Sequence, residues 1–248
     1  MRRLLSKFLG VTLATSTAWS CGGTIPVDTG SPLQLDGDAE TWRADAIHLA
    51  IRELRRGREP ADQQAEVPEA LIDNLAIALA AVASSDLPAS DTVVDVYRIH
   101  PRPELQEIIV AVDTTVAWTR AWKRGQRLTG NAVVDVILDR YSLVLEDFLA
   151  PYSNFAILAA TGPLNVVPVA AQFDGIEGVR FAEPNGLMGD ASDVTAEVRD
   201  GGWRLEYSLG WGDCPAGCAY HRYWAFHVHA DRRVTYLGSR GSPVPEAP

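Results

Sequence analysis

Apolar residues recur every three or four positions near the start of the chain and every second position near its end. Trp42, Ala46, Ile47, Ala50, Ile51 and Leu54 fall on one face of a helix that Asp38 can cap and Gly57 ends. Pro68 stands where a second helix starts, and Leu71, Leu75, Ala78, Leu79 and Val82 form its stripe. Neither stripe extends into a long heptad repeat, so both helices are expected to pack on a sheet rather than form a bundle. The polar stretch from Glu59 to Glu66 connects them.

The middle of the chain reads as mixed α and β. Val93–Ile99 and Leu105–Val112 are rich in β-branched residues and flank Pro101-Arg102-Pro103, which predicts a hairpin. Short helices are expected over 115–123 and 131–141, strands over 142–148 and 155–160, a helix over 166–173 capped by Asn165, and a strand over 178–182. After Asp190 the period becomes two. Trp203, Leu205, Tyr207 and Leu209 alternate with polar residues, as do Trp224, Phe226 and Val228, and Val234–Leu237 adds a third strand. The order strand 105–112, helix, two strands, helix, strand 178–182 is that of a βαββαβ unit. The expected fold class is therefore α+β: a ferredoxin-like βαββαβ unit with N-terminal helices and a C-terminal antiparallel β-sheet.

The first twenty residues carry an address instead of a core. Arg2, Arg3 and Lys7 precede an uncharged, moderately apolar stretch from Phe8 to Ala18, the layout of a secretory signal peptide. Ala18-Trp19-Ser20-Cys21 resembles the lipobox of bacterial lipoproteins, in which the cysteine is acylated, with palmitate among its lipids, and becomes the new N-terminus. A cut after Ala18, with Ser16 three residues before it, is the competing site for plain secretion. Removal of residues 1–20 takes away three basic residues and no acid, moving the formal charge from −10 to −13. So acidic a body gains nothing from anionic lipid, and contact with the membrane would run through the anchor alone. The same charge disfavours nucleic acid. Residues 22–38, with four glycines and two prolines, read as a tether. Elsewhere no apolar run reaches the ~18–20 residues of a membrane-crossing helix. The expected organisation is signal peptide 1–20, lipid-anchored tether 21–38, a single body 39–240 (39–86 helical, 90–186 α/β, 190–240 β-rich) and a disordered tail 241–248.

With Cys21 lipidated, Cys214 and Cys218 remain as a pair separated by Pro-Ala-Gly. In an oxidising compartment a disulfide is the default, and so small a loop contributes only about 2 kcal/mol. A redox pair or half of a zinc site are the alternatives; the first usually has two intervening residues, and the second needs more ligands. The loop between the last strands also holds Trp211, Asp213 and Tyr220, with Tyr223 just beyond. These four are candidates for stacking on a sugar or gripping a partner; the competing role is core packing, in which Trp211 is buried and the loop caps the sheet. Glu183, Asn185, Asp190 and Asp193 surround two glycines and have the oxygen chemistry of a calcium site, though such residues also make ordinary turns. His227 and His229 share a strand face within reach of one metal but lack a third ligand, with His221 too distant along a straight strand. His48 and His100 stand alone. No G-x-S-x-G, H-E-x-x-H or P-loop motif occurs, so no catalytic residue, enzyme activity or cofactor is expected.

Tyr-Ser-Leu-Gly-Trp-Gly-Asp-Cys-Pro-Ala-Gly-Cys at 207–218, Ala182-Glu183-Pro184-Asn185-Gly186 and Leu87–Val94 resemble a family of uncharacterised secreted proteins and lipoproteins of Gram-negative bacteria. That resemblance implies a cell-envelope location, with the outer membrane as the expected anchor point, and no activity. Ile176–Asn185 resembles the closing strand of subtilase propeptides, which implies a ferredoxin-like domain that inhibits or chaperones a protease. The Asp, His and Ser motifs of subtilases are absent from this chain. The expected function is a non-catalytic binding or interaction module of the envelope, a monomer whose partner is a protein or envelope ligand. A protease-inhibitor or chaperone-like module is the alternative, and an uncharacterised enzyme the second.

Overall fold

The computed structural model describes residues 37–150 and 154–244. The expected signal peptide, Cys21, the tether as far as residue 36 and the end of the tail at 245–248 lie outside the described residues. The first expected helix is divided at Trp42 into α1 (Gly37–Thr41) and α2 (Arg43–Arg55), with Asp38 inside the first turn of α1 instead of capping it, while α3 (Glu69–Ala83) forms where the spacing places it. α3 is apolar almost all round because it is covered by α2 on one side and by a sheet on the other. Among the described residues no single helix is long and apolar enough to cross a membrane; α3 with the following helical segment passes that test only as a sharply bent pair.

The expected strand at 93–99 is instead helical. Pro88 starts α4 (Pro88–Asp91), which runs into a π-helical turn (Thr92–Val96). Thr92 Oγ1 donates back to the Pro88 carbonyl at 2.7 Å, and Arg98 at φ +49° lets the Ile99 N–H close on the Val93 carbonyl at 2.9 Å. Val93 and Ile99 are buried against α3 and the C-terminal sheet, a gain that outweighs the β preference of the valines.

β1 (Glu107–Val112) therefore has no hairpin partner before it. It lies inside an antiparallel sheet of order β2-β3-β1-β4, with β2 (Leu143–Leu149), β3 (Phe155–Ala160) and β4 (Val179–Pro184). Helices α5 (Thr119–Lys123), α6 (Ala132–Arg140) and α7 (Val167–Ala170) cover one face, and Trp122, Leu138, Leu158 and Phe173 fill the core between. This is the ferredoxin-like arrangement. Asn131 caps α6, accepting from the N–H groups of Val133 and Val134.

The last layer is a meander of β5 (Asp193–Arg199), β6 (Gly202–Trp211), β7 (Tyr220–Val228) and β8 (Val234–Gly241). β5 adds to the three strands expected; its alternating Val194 and Ala196 are buried in the shared core. Leu205, Tyr207, Trp224 and Phe226 face α2 and α3. The helices from the start of the chain thus pack on the strands from its end, and the ferredoxin-like unit is inserted between them. The result is an α+β fold.

A charged junction joins these parts. Arg52 on α2 donates to Glu104 at 2.7 Å, to Asp193 at 2.9 Å and to the carbonyls of Val194 and Arg102. Arg55 shares Glu104 at 2.7 Å and reaches buried Asn165 at 2.8 Å. His48 Nδ1 accepts the Glu104 N–H at 3.1 Å. Arg52→Ala should cost about 3 kcal/mol, because it takes the guanidinium from Asp193 and leaves Glu104 with Arg55 alone, both away from full solvent. The check is a urea titration against the exposed control Arg56→Ala, which should change far less.

Burial lowers the His48 pKa from its ordinary value of 6.5, with the Arg52 charge acting in the same direction and Asp45 and Glu104 opposing. The folded chain then takes up this proton later than the unfolded chain. Stability at this group is complete above pH 6.5 and is lost as pH falls below it. His48→Gln keeps an acceptor for Glu104 and should flatten the acid-side slope of melting temperature against pH; an unchanged slope would remove His48 from the account.

Candidate functional site

Cys214 and Cys218 form a disulfide at the tip of the β6–β7 hairpin. Both strands are longer than the alternation alone marks out, so Trp211 and Tyr220 are cross-strand partners and only residues 212–219 form the loop. Two glycines let the backbone approach the bridge. A Cβ at Gly210 would come within 2.6 Å of Cys218 Sγ, and Gly189, at φ +79°, lies against the carbonyls of Cys214 and Pro215. Asp190 completes the attachment. Its N–H donates to the Cys214 carbonyl at 2.9 Å, and its carboxylate accepts the Cys218 N–H at 3.3 Å and pairs with His221 Nε2 at 3.0 Å. The Ala191 N–H, and then His221 and the Cys218 N–H, hold the Asp190 carboxyl below its ordinary range.

The four aromatic and acidic candidates are not gathered. Trp211 stacks on Tyr220 with centroids 5.7 Å apart, and this pair sits beyond the end of the core on the face that carries Tyr207 and Trp224. Tyr223 points to the opposite face, stacks on His221 and lies 4.0 Å beneath the Arg240 guanidinium. Asp213 is exposed in the loop. Trp211 is only half-buried, so the expectation that it plugs the sheet does not hold.

The oxygen-rich candidates also separate. Asp193 pairs with Arg52, Asn185 donates to Glu107 at 2.6 Å, and Glu183 is exposed on β4. Only Asp190 joins a group of potential ligand atoms, and its companions are Cys218 and His221. His227 and His229 have ring centroids 4.3 Å apart, but His229 Nε2 contacts Thr235 Oγ1 at 3.0 Å. His100 stacks on Trp42 and pairs with Asp45. A cavity of about 450 Å³ near the end of α3 presents Asp38, Asp86 and Arg232 over Ile77 and Ala81, without histidine or cysteine.

Sequence reasoning passed over a second surface. The face of the ferredoxin-like sheet turned away from α5–α7 carries Leu149, Phe155, Ala111 and Phe181 in one cross-strand row and Asp147, Ile157, Ile109 and Glu183 in the next. Ala111 is fully buried, and the other side chains lie outside both cores. Phe155 and Phe181 meet edge to face across Ala111, and Phe181 is 41% exposed. Glu107, Asp147 and Glu183 border the apolar rows. The signal was present: β1 and β3 read as unbroken apolar runs, which in an antiparallel sheet call for cover on both faces.

The chain leaves this sheet through residues 185–190. Arg102 donates to the carbonyls of Leu187, Met188 and Gly189, holding the segment from behind, and Met188 is 96% exposed.

Comparison with protein-family models, with curated proteins and with solved structures finds no match to the chain.

Trp211→Ala should cost about 1 kcal/mol, the value of a stacked pair, and not the ~3–5 kcal/mol of an emptied core site. Denaturant unfolding checks it; a loss at the higher figure would return the indole to the core.

Proposed function

We propose that this chain is a non-catalytic envelope lipoprotein, anchored through Cys21, that binds a protein partner on the open face of its ferredoxin-like sheet. The observation that carries the reading is the apolar surface of Phe155, Phe181, Ile157 and Ile109, left outside both cores. Its border of Glu107, Asp147 and Glu183 selects a partner with an apolar ridge flanked by lysine or arginine. A second copy, with the same carboxylates and, once residues 1–20 are removed, a formal charge of −13, would be repelled.

Ile157→Asp and Phe181→Asp variants, folded by circular dichroism, should each lose capture of the partner from envelope extracts. Capture by the parent should weaken with salt, because rim charges are screened. Capture that survives both substitutions, or a parent chain that sediments as a dimer, would overturn the reading. The anchor is tested separately. Cys21→Ser should move the protein from the membrane to the soluble fraction, and retention after a salt wash would remove the lipid from the account.

Protease inhibition is the second reading, favoured by the exposed segment after Pro184. Leu187 and Met188 project while Arg102 fixes the backbone behind them, which suits presentation to an extended cleft. Stoichiometric inhibition of a subtilisin-type protease, lost in Met188→Pro, would put this reading first.

A further inference from the structure

We infer that Cys214, Cys218, His221 and Asp190 form a redox-switched zinc site, closed to metal when the disulfide is formed and open when it is reduced. Among the described residues, ligand atoms of Asp190, Cys218 and His221 all lie within 4.8 Å of one another. Asp190 Oδ2 and His221 Nε2 are already 3.0 Å apart. Cys214 Sγ lies outside that group but is bonded to Cys218 Sγ, so once the bond is cut a rotation of its side chain is needed to bring it in as the fourth ligand. With bonds of ~2.0–2.3 Å, a tetrahedral zinc ion spaces its ligands by roughly 3.3–3.8 Å, so contractions of up to about 1.5 Å between the wider pairs, with a slight parting of Asp190 from His221, close the site around the three residues.

The donor set fits the ion. Two thiolates, an imidazole and a carboxylate are ligands zinc accepts together, and the three residues between the cysteines fall within the usual spacing of a zinc knuckle. The three identified ligand residues are half-buried, which leaves a path for the ion. Independent elements hold them: Asp190 precedes β5, His221 lies on β7, and the cysteines occupy the hairpin tip. The Asp190 N–H on the Cys214 carbonyl, and the Cys218 N–H on the Asp190 carboxylate, hold that tip in place apart from the disulfide itself.

An external dithiol transfers two electrons and two protons to the Cys214–Cys218 bond and becomes a disulfide. Zinc then displaces the two thiol protons to solvent. The proton that His221 Nε2 donates to Asp190 passes by way of solvent to Nδ1, and the freed nitrogen and the carboxylate bind the ion in place of their hydrogen bond. Reoxidation by a disulfide oxidant reverses both steps and expels the ion.

The test uses the full chain with Cys21→Ser, Co²⁺ as a spectroscopic stand-in and a phosphine reductant that binds metal weakly. The reduced chain should take up one Co²⁺, with thiolate-to-cobalt absorption and the intense visible bands of tetrahedral geometry. The oxidised chain should take up none. His221→Ala and Asp190→Asn should each weaken uptake by at least about tenfold, while His227→Ala should not. Zinc should raise the melting temperature of the reduced chain only. Absence of stoichiometric uptake on reduction, equal uptake by the oxidised chain, or indifference to His221→Ala would each overturn the site. So would a reduced chain that unfolds and is not refolded by zinc.

Discussion

The guanidinium of Arg52 is the group on which the arrangement of this molecule turns. Its donors are divided among a carboxylate before β1, a carboxylate that opens β5 and two backbone carbonyls. Three stretches of chain, separated by 50 and by more than 140 positions, therefore meet at one planar fork. A lysine would not serve, because a single ammonium cannot present donors in so many fixed directions. Asp193 in turn accepts the Arg102 N–H, and the Arg102 side chain holds the carbonyls of residues 187–189. The exposed loop is thus placed by a chain of polar contacts that begins inside helix α2.

The two sheets solve burial differently. The C-terminal meander hides one face under α2 and α3 and gives its other face to Arg204, Glu206, Tyr223 and Arg240, whose mutual ion pairs and ring contact suit water. The ferredoxin-like sheet hides one face under its own helices and leaves phenylalanine and isoleucine on the other. Phe181 is exposed there, and Phe155, Ile109 and Ile157 are half-buried, so the face offers apolar surface that a partner could cover.

Local patterns made much of this fold legible in the sequence. The stripes of α2 and α3, the Asn131 cap and the alternation in β6 and β7 carry their information within a few residues, and each forms as expected. Val93–Ile99 failed because Pro88 and the burial of Val93 and Ile99 decide the conformation, and burial is a property of the whole fold. The site was harder. Nothing local marks that Asp190 meets His221, or that Trp211 runs past the end of the core while Tyr223 turns to the other face. Strand register across a hairpin places those side chains, and a shift of one residue would exchange their faces.

The insertion of the ferredoxin-like unit also orders the events of folding. Strands β1 to β4 and their helices lie between residues 107 and 184 and enclose a core of their own, so they can condense once that stretch is present. The helices that precede them cannot. Their apolar faces need Leu205, Phe226 and Val228, which belong to the last fifth of the chain. Contacts so distant in sequence form late and slowly. In vectorial synthesis α3 can pair with α2 at once, but its sheet-facing side remains uncovered until β6 and β7 arrive, and through that interval it is the surface most open to mispairing.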